Sequence, residues 1–81
     1  MNDSNYIPIL QNLADKLESV RKVGLSASRI HDINIDLGLC INTISNIEYY
    51  IKKGGLAIEQ KTWYDNLIKR IEDDLIEFVK W

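Results

Sequence analysis

At 81 residues and a formal net charge of -2, the chain has room for one small domain and no basic face with which to displace counterions from nucleic acid. A domain of this length hides only about 60% of its unfolded surface, so its core is modest. A single cysteine excludes an internal disulfide, no apolar run approaches the roughly 18 residues that span a bilayer, and the start Met1-Asn2-Asp3-Ser4 lacks a basic segment followed by an apolar run.

The first predicted element is a helix carrying the stripe Tyr6-Leu10-Leu13-Leu17-Val20. Steps of three and four keep these side chains on one helical face. Asp3 and Ser4 are its candidate N-caps, and Pro8 fits only in its first turn, where a missing N–H has no helical partner to lose. The helix is expected to run to about Lys22. Arg21 and Lys22 suit the negative end of its dipole, and Gly24 ends it.

Helix 2, capped by Ser26 or Ser28, carries the stripe Ile30-Ile33-Leu37-Cys40-Ile44-Ile47-Ile51 and runs to about Lys53. Cys40 lies on that stripe between Leu39 and Ile41, so it reads as a small core hydrophobe and not as a reactive thiol. The segment Asn34-Ile35-Asp36-Leu37-Gly38 combines poor helix formers with a glycine and leaves room for a kink or short break near residues 34–38. At about 100° per residue, a continuous helix turns Ile35, Gly38, Leu39, Asn42, Asn46 and Tyr49 away from the main stripe. That side of a bundle helix should be polar. Either a break rotates Ile35 and Leu39 into the core, or Ile35, Leu39 and Tyr49 form a docking strip for another chain, or they are scattered exposed apolar residues.

Gly54-Gly55 supply a left-handed stop. Helix 3 begins between Ala57 and Thr62, carries Tyr64-Ile68-Ile71-Leu75-Phe78 and continues to the C-terminus. The short turn makes helices 2 and 3 antiparallel neighbours, with Ile44 at the height of Asp65, Ile41 near Ile68 and Ile33 near Ile76. The expected fold is all-α: one domain over residues 1–81, an up-down-up antiparallel three-helix bundle.

Chemistry-bearing sets are scarce. His31 is the only histidine and reads as a surface residue, because a histidine metal site wants two or more ligands at helical spacing. The acidic run Glu72-Asp73-Asp74 with Glu77 reads as a solvated face, because no second acidic cluster is expected to oppose it from helix 1 or 2. Lys69-Asp73 and Arg70-Asp74 have the spacing of i,i+4 ion pairs. Gly54-Gly55 is too short to cradle phosphate.

The aromatics offer more. Tyr49, Tyr50, Trp63 and Tyr64 flank the Gly-Gly turn and should cluster at one end of the bundle, with Trp81 at the other. Trp63 and Tyr64 either close the core or join an aromatic hot spot rimmed by Asn46, Glu48, Lys52, Lys53 and Asp65. The candidate partner-binding residues are therefore Ile35, Leu39, Tyr49, Tyr50 and Trp63, with no catalytic, cofactor or metal site.

The reading that follows is a small non-enzymatic protein of the cytoplasm. It binds another protein and inhibits or neutralises it, as immunity proteins, antitoxins and phage-encoded inhibitors of host defence, such as anti-CRISPR proteins, do. Abundant Ile, Asn and Lys fit an AT-rich bacterial or phage genome, in the second case acting in the host-cell cytoplasm. The alternative is a self-associating module or helical secretion-type chaperone, with a homodimer through helix 2. A small metal-dependent hydrolase using Asp73 and Glu77 is a third.

Overall fold

A computed structural model describes residues 3–79; Trp81 lies outside them. A short 3-10 turn, Asp3–Asn5, leads into α1 (Tyr6–Arg21), α2 (Ala27–Lys52) and α3 (Ile58–Val79). The described residues contain no strand, and the helices form the expected all-α antiparallel bundle, 42 × 17 × 17 Å. None of these helices is long and apolar enough to cross a membrane.

Each stripe supplies the core. Tyr6, Leu10, Leu13 and Leu17 of α1 are buried, as are Ile33, Leu37, Cys40 and Ile47 of α2 and Tyr64, Leu67, Ile68, Ile71 and Phe78 of α3. The Tyr6 phenol lies 3.5 Å from the Lys61 carbonyl. Burial, and then the nearby Asp65 carboxylate, push it up to about 12.

The start of α1 departs from expectation. Asn5 holds the cap position of the α-helix and makes no side-chain cap bond. Asp3 reaches across the bundle instead. Its carboxylate accepts the Leu56 N–H at 2.8 Å and pairs with Lys61 Nζ at 3.0 Å. Pro8 sits in the first turn of α1, where it removes no helical bond. After the helix Gly24 adopts φ +81°, a conformation other residues resist. Arg21 then ties the end of α1 to α2, donating to Asn34 Oδ1 at 2.9 Å.

Helix α2 runs unbroken through Asn34–Gly38, so the interruption those residues would allow does not form. Packing of Ile33, Leu37 and Cys40 on either side outweighs roughly 1 kcal/mol of poor propensity at Gly38. Ser26 holds the N-cap in extended geometry, but its hydroxyl faces Ser28 Oγ at 3.4 Å and caps nothing. The far end closes as a Schellman motif: Gly55 N–H donates to the Tyr50 carbonyl at 2.9 Å and Gly54 N–H to the Ile51 carbonyl at 3.3 Å. Helix α3 opens with half a capping box, the Gln60 side chain accepting the Ala57 N–H at 2.8 Å.

The three helices do not share contact equally. Helix α1 packs most closely against α2 and less against α3, while α2 and α3 approach each other least. Ile41 is 59% exposed and stands outside the core that Ile68 joins. One expectation fails. Lys69–Asp73 and Arg70–Asp74 do not close as ion pairs among the described residues, where the pairs formed include Arg21–Glu18 at 3.2 Å.

Candidate interaction furrow between α2 and α3

Because α2 and α3 stand apart, a furrow opens on this side of the bundle: two hollows lie between the helices and a third lies on α3 between them. The upper one, about 290 Å³, is lined by Asn46 and Tyr50 of α2 and by Glu59, Gln60, Trp63 and Tyr64 of α3. The middle one, about 180 Å³, is lined by Trp63, Asn66, Leu67 and Arg70. The lower one, about 240 Å³, is lined by Asp32, Ile35, Asp36, Arg70, Asp74 and Phe78. Trp63 lines the first two and Arg70 the last two, so neighbouring hollows adjoin at these side chains.

The upper end is aromatic. Tyr64 is buried edge-on against Tyr6, ring centres 5.9 Å apart, and carries Trp63 on its other side at 5.3 Å. Burial, with a smaller contribution from Tyr50, raises the Tyr64 phenol above its ordinary value. Trp63 remains 53% exposed, so of the two only Tyr64 closes the core. Across the furrow Tyr50 stacks edge-on with Tyr49 at 5.3 Å, and Lys53 Nζ lies 5.6 Å from the Tyr49 ring centre. Such large, rigid rings with polar tips lose little freedom on binding.

Of the candidate partner residues, Ile35, Tyr50 and Trp63 line the furrow, and Tyr49 adjoins it through Tyr50. Leu39 differs. It is half-buried and packed on the core cluster, because α2 turns a wide arc inward and Leu39 sits at its edge. The docking strip along the back of α2 is thus split. Ile35 and Tyr49 face outward at 46% and 55% exposure, and Leu39 faces largely in.

The lower end carries chemistry that sequence reasoning missed. Asp36 is 2% exposed, and its Oδ2 has no hydrogen-bond donor. It faces Asp74 from α3, with Asp32 one turn away on α2 and Arg70 on the opposite wall. Burial is the main cause that pushes Asp36 up to about 7; the facing Asp74 adds to it, Arg70 opposes it and Asp32 contributes least. The poorly solvated place and the facing Asp74 together favour the protonated Asp36 carboxyl.

Asp74 therefore leaves the solvated acidic face on which Glu72, Asp73 and Glu77 remain, and α2 does present opposing carboxylates. No group of three metal-ligating side chains converges among the described residues. His31 is exposed. Cys40 is fully buried, and burial, followed by the charge of Asp36, pushes its thiol up to about 11, far from the thiolate range.

A second hollow, about 450 Å³, lies between α1 and α3 among Asn12, Lys16, Val20, Leu75, Ile76 and Val79. It has no aromatic anchor. No family model, curated protein or solved structure matches the chain.

Proposed function

We propose that this chain is a non-enzymatic binding protein and that the α2–α3 furrow is its contact surface. One observation carries the reading: Trp63 stands half out of the fold where the upper and middle hollows meet, with Tyr50 across from it. An exposed indole beside a tyrosine, rimmed by Asn46, Glu59 and Gln60, has the make-up of a protein-binding hot spot. The occupant is another protein. The consequence we assign to its binding is inhibition, since a domain this small acts most simply by covering a surface. Immunity proteins, antitoxins and phage inhibitors of host defence work in that way, inside the cell.

The test uses the parent chain and Trp63→Ala as parallel baits in lysate of the native host, with the mass of each in solution measured alongside. Support is a protein retained by the parent, lost with Trp63→Ala, and slowed in its own activity when the parent is added back. A concentration-dependent dimer that Trp63→Ala dissolves would make a second copy the occupant and replace the inhibitor reading with the self-associating one. Retention of the same proteins by both baits refutes the furrow.

A further inference from the structure

The lower hollow combines charged and apolar side chains. Asp32, Asp36, Asp74 and Arg70 supply its charged lining, and Ile35 and Phe78 its apolar lining. Asp36 Oδ2 is buried without a donor, and an orphaned carboxylate oxygen in that position is a standing cost to the fold. Protonation of Asp36 relieves part of it. A donor from outside, meeting the carboxyl where Asp36 lines the hollow, would relieve the rest.

The shape of the hollow limits what that donor can be. A divalent metal wants several oxygen ligands, and no third acidic group converges with the pair among the described residues. A guanidinium or ammonium group needs only the two carboxyls, and its aliphatic stem packs naturally against Ile35 and Phe78. We propose that the lower end of the furrow is a socket for one basic side chain, arginine or lysine, of the bound protein. This rests on the furrow being the partner surface. Arg70 lies on the wall and pairs with neither carboxylate, so it acts as a resident positive charge that the incoming one must tolerate. The charged groups acting on Asp36 are Asp74 and Arg70 of α3 and Asp32 of α2; Cys40 feels its charge from below, and α1 lines no part of the socket. Entry of the cation expels the Asp36 proton, so affinity rises with pH until Asp36 is ionised and then levels off.

The socket is tested on the isolated chain with n-butylguanidinium and n-butylammonium as probes. The readout is the NMR signals of the Asp36 and Asp74 carboxyls and of the Phe78 ring, at a pH well above 7. The expected result is saturable movement of all three, weakened about tenfold by Asp36→Asn, and tightened by Arg70→Gln. Asp36→Asn matches the protonated acid in shape, so the variant keeps the fold. Non-saturating shifts, equal binding by Asp36→Asn, or saturation of the same signals by Mg²⁺ at lower concentration than either probe would each overturn the proposal. The measurement needs no partner. Failure here leaves a Trp63-dependent partner untouched, and failure of the baits leaves the socket standing without its assigned use.

Discussion

Asp3 accepts the Leu56 N–H at 2.8 Å and so joins the turn that opens α1 to the turn that opens α3. The same carboxylate pairs with Lys61, and Gly55 packs so closely that a Cβ there would lie 3.0 Å from Asp3 Oδ2. The Leu56 N–H, and then Lys61, hold this carboxyl below its ordinary range. A lowered folded value means stability that is present above the usual carboxylate range and is lost as pH falls through the folded one. Asp3→Ala should therefore lower Tm at neutral pH and bring the variant and parent together in acid. Asp3→Asn, which loses the Lys61 charge pair but keeps an acceptor, should fall between them. Thermal melts across pH check both, and equal Tm values for all three at neutral pH would refute the role.

Asp36 works in the opposite direction. Its folded value is raised, so the folded state binds the proton more tightly than the unfolded chain does between the ordinary carboxylate range and about 7. Stability from this group is greatest in acid, falls as pH rises towards 7 and then levels off. Each tenfold difference in proton affinity is worth about 1.4 kcal/mol, which is a sizeable part of the total for so small a domain. Asp36→Asn should remove the slope and raise Tm at pH 8 while changing little near pH 4. A parent whose Tm is flat from pH 5 to 8 would contradict the raised Asp36 value.

The core divides from the surface in a way that alanine truncation reads directly. Leu17→Ala and Ile71→Ala each remove a fully buried aliphatic chain and should cost about 2–5 kcal/mol. Ile41→Ala and Ile58→Ala remove equally apolar but exposed side chains and should stay within about 0.5 kcal/mol of the parent. Chemical denaturation of the four variants checks the assignment.

Cys40 should resist a thiol reagent until the protein unfolds, because its sulfur is buried and its proton held tightly. Labelling that follows global unfolding across a denaturant series is the expected behaviour. Fast labelling in buffer would place the α2 face wrongly.

Ile35→Glu and Leu39→Glu should separate binding from folding. Leu39 packs on the core cluster, so a carboxylate there should lower the Tm of the isolated chain. Ile35 stands on the furrow wall, where the same change should leave Tm nearly unaltered and disturb only what the lower hollow holds. Equal Tm losses for both would mean that Ile35 supports the fold as Leu39 does.

Much of this was legible from spacing alone. Tyr6 to Leu17, Ile33 to Ile47 and Tyr64 to Phe78 announce their buried faces by steps of three and four, and Gly54-Gly55 sets helices 2 and 3 antiparallel. The turn register even places Asp36 within one residue of its observed neighbour, Asp74. What spacing could not give was how far apart the neighbours stand. Asp36 lies between Ile33 and Cys40 at core spacing, and that was the available signal. It was hidden because a helix face that includes Leu37 already looks complete. Asp74 was hidden by its company: three acidic residues in a row read as solvent-facing, though about 100° separates each from the next. The reach of Asp3 to Leu56 joins residues far apart in the chain and leaves no local pattern at all.

The uneven packing of the three helices also bears on how the molecule opens. Helices α1 and α2 form a tightly joined pair, whereas α3 is fastened mainly through α1. A segment held chiefly along one side has less to lose by detaching than the molecule has by unfolding. Opening of α3 would part the furrow along its full length, separate Asp74 from Asp36 and strip Tyr64 from Tyr6, while leaving the α1–α2 hairpin assembled. The seam that offers a partner its surface is thus also the line along which the bundle comes apart, and anything that bridges α2 to α3 stabilises the weakest hinge in the fold.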